Sequence, residues 1–314
     1  MTNSPMAENK LLAIVYSLIA FALFVVMDSI GKYLADYCSV IQIVWGRYFF
    51  HILFMFLIFF FIKKKINFTK NIKFQFYRSI LLICCTVLTY ISVRYNELIN
   101  FYIIFFSTPL IASFFSFVFL KEKITKIGFG LIFLSFAAIV YSLNPSDAFS
   151  TYLIVFPFLT AVSFALYQLF TKIVAKDREP FVALFYTSFI GGALFSILAY
   201  FYWTPIEYNM AWLILIFLGF IGFISHYLFA VALQNFNLNH VTNFQYTQLI
   251  WASLINYFIF GDVISERKIV GIVLIIIFGL IFFNRELKLK SDKKWNLNNV
   301  RNFTVNSTLV YNTR

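Results

Sequence analysis

The sequence predicts an all-α polytopic membrane protein with ten transmembrane helices in two inverted five-helix repeats. Three observations predict it. Of 314 residues, 61% are hydrophobic and 12% are charged, where soluble domains carry about 25% charge and about 45–50% apolar residues. The apolar runs are ~17–24 residues long, the length at which a helix crosses ~30 Å of hydrocarbon. Barrel strands would be about ten residues long with alternating polarity, and the chain does not alternate in that way. Third, the polar landmarks of the first half recur in the second at an offset of 140, with Asp28 falling on Gln168 and Glu122 on Asp262.

The expected spans are 11–34, 40–62, 76–94, 98–120, 127–143, 152–174, 181–203, 212–234, 241–260 and 269–283. They divide the chain into an N-terminal segment 1–10, a first repeat 11–143, a second repeat 152–283 and a basic tail 284–314. The tail is rich in Asn and Lys with little apolar periodicity, and disorder is expected there. The first run follows Lys10 and resembles a signal peptide, but no small-x-small cleavage pattern follows it and it continues into Asp28 and Lys32. It is kept as a span.

Lysine and arginine asymmetry sets the orientation. With the N-terminus in the cytoplasm, the inner segments hold Lys63, Lys64, Lys65, Lys70, Lys73 and Arg78, then Lys121, Lys123, Lys126, Lys172, Lys176, Arg178 and the tail. The outer segments hold Lys32, Arg94, Arg267 and Lys268. The net charge of +12 is thereby a topology signal. Nucleic-acid binding is the weaker reading of that charge, since no separate basic domain exists to carry it. The expected location is the plasma membrane (bacterial inner membrane), multi-pass, with both termini cytoplasmic.

Five spans per half is an odd number, so the halves enter the membrane in opposite directions. Many secondary transporters share this arrangement, with the substrate near the midplane at the repeat interface. The two stretches that organise the chain are 104–122 and 244–262. Ser107, Thr108 and Pro109 fall on Thr247, Gln248 and Leu249, and Pro109 is expected to kink its helix because it removes a backbone donor. Tyr246, Thr247, Gln248, Trp251 and Asn243 offer hydrogen bonds and stacking faces within two turns and are read as a binding wall. Thr108, Gln168, Tyr90 and His226 are candidate substrate contacts, with Tyr167 a further aromatic face.

Charges within a span cost about 2.5–3.5 kcal/mol each on insertion scales and need a partner or a wet cavity. Asp28 and Lys32 share one helix face and Arg47 lies in the next span at a similar level. They are read as an ion-pair cluster or gate. His51 and His226 lie within spans, where they can titrate or bridge helices. No metal-ligand spacing surrounds them, and no cofactor motif is present. Cys38, Cys84 and Cys85 form no disulfide framework. Glu122 and Asp262 cap span ends. Gly219, Gly222, Gly191 and Gly192 are read as packing positions.

Several of these motifs taken together resemble the EamA-domain branch of the drug/metabolite transporter superfamily. They are Asp28-x-x-x-Lys32 closing the first span, Arg47 early in the second and Arg78 opening the third, which ends TYISVRYNE. Pro109 follows mid-span, with Glu122 thirteen residues on, and FQYTQLIWASLINYFIFGDVIS stands in the second half. The resemblance covers residues 10–284. It implies ten helices, cytoplasmic termini and transport of a small metabolite. Two residues depart from the pattern: Leu249 stands where the second half often has proline, and Asp262 where Glu is usual.

The function expected is a secondary transporter of a small polar or amphipathic metabolite (amino acid, nucleobase, vitamin or similar) working by alternating access, and not an enzyme. An uptake carrier for S-adenosylmethionine or a nucleotide is the alternative within the family. From other classes, a membrane-embedded enzyme or a non-transporting scaffold remains. The partners expected are the substrate and the lipid bilayer. A coupled proton or ion and a homodimer stay open.

Overall fold

The computed structural model describes residues 5–62, 72–120, 125–143, 154–175, 180–235, 241 and 244–291. The regular elements described are helical. They are α1 (Pro5–Leu34), α2 (Val40–Ile62), α3 (Ile72–Tyr95), α4 (Leu98–Phe105), α5 (Thr108–Leu120), α6 (Lys126–Ser142), α7 (Val155–Val174), α8 (Pro180–Tyr202) and α9 (Met210–Asn235). A 3₁₀ turn (Phe244–Tyr246) leads into α10 (Thr247–Phe258), and α11 (Glu266–Ser291) ends the series. Among the described residues, seven helices are long and apolar enough to cross a membrane, with α4 and α5 counted together as one. The expected fifth and ninth spans fall on shorter elements, α6 and the 3₁₀ turn with α10. The expected tenth falls on α11, which is helical past residue 283 to Ser291. Residues 292–314 lie outside the described residues, as do Glu122, Asn243 and most of the basic loop residues used to set the orientation.

The packing is unchanged when the two halves of the chain are exchanged. Let α1, α2, α3, α4 with α5, and α6 correspond to α7, α8, α9, the 3₁₀ turn with α10, and α11. Then α1 on α9 is matched by α3 on α7, α2 on α9 by α3 on α8, and α5 on α7 by α1 on α10. The pairs α2 with α8, α4 with α10 and α6 with α11 are their own counterparts. Most of this packing therefore joins one half to the other. Small residues permit the approach: a methyl on Gly191 would lie 2.8 Å from the Tyr48 ring, and one on Gly219 would collide with Phe50.

Side chains obey the same exchange. Lys32 Nζ reaches the Val93 carbonyl at 3.4 Å, and Lys172 Nζ reaches the Leu233 carbonyl at 2.7 Å. Both members of each pair are related by the 140-residue offset seen in the sequence. Each lysine thus ties the first helix of its half to the third.

The fourth span is broken, not merely kinked. α4 ends at Phe105 and α5 begins at Thr108, so Pro109 stands in the first turn of the new helix, where its missing N–H costs nothing. The carbonyl that Pro109 leaves without a helical donor, that of Phe105, accepts the Thr108 hydroxyl at 2.5 Å. The counterpart in the second half has no proline, yet the 3₁₀ turn interrupts it, and the Thr247 hydroxyl donates to the Phe244 carbonyl at 2.7 Å. Substituting Leu249 for proline therefore does not remove the interruption.

Candidate functional site

The two interruptions and the middles of five further helices surround a small cavity of about 30 Å³. Phe24, Met27 and Asp28 of α1, Arg47 of α2, and Leu82, Cys85 and Thr89 of α3 line it. Phe105 of α4, Phe164 of α7, His226 of α9 and Gln248 of α10 complete the wall. Both halves contribute. The volume has room for a water or two, so the helices are closed around the site and must part to admit a metabolite.

Polar groups on this wall are buried in an apolar bundle, so each needs a partner. Asp28 is 8% exposed and its Oδ2 accepts the Tyr102 hydroxyl at 2.7 Å. Arg47 is 3% exposed, and its Nη2 donates to His226 Nε2 at 2.8 Å. Its guanidinium also sits over the rings of Tyr48 and Tyr90, 5.6 and 5.8 Å from their centroids, a cation–π arrangement. Arg47 Nε, Gln248 Oε1 and Tyr90 Oη make no hydrogen bond within the protein. A cation, an amide oxygen and a phenol are thus left with unused capacity at or beside the cavity.

A second arginine stands behind the first. Arg78 is wholly buried and donates from all three of its nitrogens: Nε to Thr171 Oγ1 at 2.9 Å, Nη1 to the Ala183 carbonyl at 2.6 Å and to Thr187 Oγ1 at 2.8 Å, and Nη2 to Tyr167 Oη at 3.2 Å. It fastens α3 to α7 and α8 using neutral acceptors alone. Tyr167 Oη is also 3.2 Å from His226 Nδ1. Arg47, His226, Tyr167 and Arg78 therefore form one continuous row.

Of the residues singled out in the sequence, Asp28, Arg47, His226 and Gln248 meet at the cavity. Tyr90 stands beside it, its ring against Gly31. The expected Asp28–Lys32 pairing is corrected. Lys32 Nζ donates to the Asn96 carbonyl at 2.8 Å and lies 5.3 Å from the Phe260 ring, since backbone carbonyls of the α3–α4 turn are within reach of its long side chain. Asp28 takes Tyr102 and Arg47 takes His226, so the three charges form no ion-pair cluster. Gln168 donates Nε2 to Gln245 Oε1 at 3.0 Å and ties α7 to the 3₁₀ turn.

The binding wall expected on the ninth span is also redrawn. The buried stripe of α10 is Gln248, Leu249, Ala252 and Asn256, which leaves Trp251 42% exposed on the outer face. Tyr246 packs on Phe106 and against Gly279, and Thr247 and Thr108 spend their hydroxyls on the helix breaks. Among the described residues of that cluster, Gln248 alone lines the cavity.

The structure adds Phe24, Phe105 and Phe164 to the cavity wall, and Tyr102 and Arg78 behind it; sequence reading does not single these out as site candidates. A signal for Arg78 existed: Gln75, Arg78, Ser79, Thr86 and Thr89 recur at helical spacing on the buried side of α3. The expected span 76–94 puts Arg78 at its mouth. The helix starts at Ile72, which puts it inside.

The sequence profile of the EamA-like transporter family matches the chain twice, over residues 11–144 and 151–285. The chain belongs to the EamA-like transporter family. With seven apolar helices of spanning length among the described residues, this EamA-like chain is a multi-pass membrane protein. A curated relative from Rickettsia bellii (strain RML369-C), named S-adenosylmethionine uptake transporter, is 26% identical over 193 residues, 61% of this chain and 65% of that protein. One of the same name from Rickettsia felis (strain ATCC VR-1525 / URRWXCal2) is 25% identical over the same shares. The chain therefore spans about 65% of the length of the curated relatives it matches. A solved structure titled only as a crystal structure of a protein superposes with a TM-score of 0.65 at 12% identity, covering 86% of this chain and 94% of that one. At that identity it shows the fold alone.

Proposed function

We propose that the EamA-like chain is a secondary carrier that takes up a small zwitterionic metabolite by alternating access, with S-adenosylmethionine the leading substrate. The observation that carries this reading is that Asp28 and Arg47 stand on the wall of one cavity between the halves, each bonded to a neutral partner instead of to the other. A zwitterion can meet both charges. S-adenosylmethionine offers a carboxylate to Arg47 and an ammonium to Asp28. Its sulfonium suits the faces of Phe24, Phe105 and Phe164, and its adenine suits those rings and the Gln248 amide. The names of the two rickettsial relatives favour the same substrate.

The exchange symmetry supports alternating access. Two halves that pack mainly on each other around a central site can rock about it, and the broken fourth and ninth spans lie where repeat transporters place substrate. The sequence holds no GxxxxGK[ST] phosphate loop, so a gradient supplies the work. The lysine and arginine asymmetry supports a bacterial inner-membrane location with both termini in the cytoplasm.

The experiment is uptake of tritiated S-adenosylmethionine into proteoliposomes, with protein-free vesicles as control. Saturable uptake that excess unlabelled substrate abolishes is expected. Folded protein that neither binds nor moves it would remove this substrate, and a metabolite panel with no flux would remove the carrier reading.

A further inference from the structure

The row Arg47–His226–Tyr167–Arg78 determines where the protons lie. A guanidinium only donates hydrogen bonds, so His226 Nε2, 2.8 Å from Arg47 Nη2, must be the acceptor. The single proton of the neutral ring is then on Nδ1 and faces Tyr167 Oη at 3.2 Å. Arg78 Nη2 donates to that same oxygen from the other side. One basic lone pair in the row, that on His226 Nε2, is covered by a donor that can leave it. Arg47 has a free Nε and lies on the cavity wall, so an anionic group entering the cavity competes with His226 for the guanidinium.

We infer that His226 Nε2 is the binding site of a coupled proton, open only when Arg47 has turned from it to an anion in the cavity. The proton comes from a hydronium ion, which becomes water, and adds to the Nε2 lone pair. The ring then carries N–H at both nitrogens; the Arg47–His226 hydrogen bond is given up and no covalent bond within the protein breaks. The added positive charge is matched by the anion that drew Arg47 away. Arg47 and the proton exclude each other at one atom, so the anion and the proton favour each other's binding, and this coupling is reciprocal. The ionisable groups around the ring are Arg47 and His51 of α2, Arg78 of α3, Tyr167 of α7 and, on the shared cavity wall, Asp28 of α1. His51 lies 6.4 Å from His226 between ring centroids and is the rival site.

The proton site does not depend on which substrate is carried, whereas its consequence for transport rests on the carrier reading. The test therefore has two arms. In the first, the full chain is ¹⁵N-labelled at histidine in nanodiscs, and the three imidazoles are distinguished with His226→Gln and His51→Gln. The expected result is His226 as the Nδ1–H tautomer, unchanged across about pH 5–8, the window in which histidines ordinarily titrate. In Arg47→Gln the same ring takes up a proton within that window. An Nε2–H tautomer in the unaltered protein, or a ring that behaves alike with and without Arg47, overturns the site. The unaltered protein decides this even if the variant does not fold.

In the second arm, a pH-sensitive dye follows proton movement during S-adenosylmethionine uptake. About one proton per substrate is expected from the unaltered protein and from His51→Gln, and none per substrate carried from His226→Gln. Uptake without proton movement overturns the coupling and leaves the carrier reading standing. No uptake at all counts against the substrate, and the first arm still decides the proton site.

Discussion

Phe106 and Tyr246, 140 residues apart in the chain, pack ring to ring with centroids 5.4 Å apart. Each occupies the interruption of its own half, and each is the other's counterpart under exchange of the halves. The relation between the halves therefore passes between these two rings. The cavity lies beside this contact, where Phe105 and Gln248, their neighbours in sequence, reach its wall. Helix interruption, repeat interface and site are one locality, because ending a helix within the bundle is what frees side chains there to face inward.

Exchange symmetry need not extend to every contact, and two glycines separate the cases. Gly130 and Gly271 match in the sequence after a one-residue slip. A methyl on Gly271 would collide with Ser142, whereas one on Gly130 meets nothing within 4 Å. Gly271→Ala should destabilise the α6–α11 contact by about 1–3 kcal/mol through overpacking. Gly130→Ala should be neutral or stabilise by up to about 1 kcal/mol through helix propensity. Thermal unfolding of both variants in one detergent checks the pair, and equal effects would refute the asymmetry.

Arg78 gives a second prediction. Four of its five donors serve α7 and α8 together, and a lysine ammonium at one point cannot reach Thr171, Thr187, Tyr167 and the Ala183 carbonyl at once. Arg78→Lys keeps the charge and should still cost about 2–3 kcal/mol, the scale of charged hydrogen bonds left unmade. Thr187→Val, which removes one acceptor, should cost less. A lysine variant with unchanged melting temperature would show that the latch contributes nothing to holding α3 against α7 and α8.

The sequence revealed the helices, the duplication and the offset because they rest on long periodic runs and on polar residues too costly to place in lipid at random. Asp28, Arg47, His226 and Gln248 were legible for the same reason. Their partners were not. Tyr102 and Phe164 look like any aromatic residue in a chain with 44 Phe and 19 Tyr. Which of them turns inward depends on helix rotation, and neighbouring helices set that rotation. Trp251 shows the converse: its place in a polar cluster suggested a wall, but one helical stripe cannot bury Gln248, Leu249, Ala252 and Asn256 and also Trp251.

That stripe yields a binding prediction. Gln248 Oε1 lacks a partner in the protein and is 1% exposed, so ligand contact is where its hydrogen bond would be made. Gln248→Ala should weaken S-adenosylmethionine binding by about 3–10-fold, the equivalent of one hydrogen bond. Trp251→Ala should leave the dissociation constant unchanged. Ligand-dependent thermal shifts on the purified variants compare them directly, and a larger loss from Trp251→Ala would return the wall to the outer face.

Orientation can be tested with thiols. Cys38 lies in the turn between α1 and α2, buried, and burial pushes its thiol up to about 11 from an ordinary 9.0. At pH 8 a thiol near 11 is about one part in a thousand thiolate, against about one in ten for an ordinary one, so its alkylation should be about 100-fold slower. Cys85 is buried in α3, and Cys84, on the exposed side of the same helix, faces lipid that excludes a charged reagent. The native protein should therefore give almost no background with a membrane-impermeant maleimide. Glu207 is exposed in the connection between α8 and α9, which the cytoplasmic placement of both termini puts outside the cell. Glu207→Cys should then label in intact cells as fast as after permeabilisation. Labelling that appears only after permeabilisation would invert the topology, turning the Arg78 latch to the outer side and the Lys32 contact to the inner.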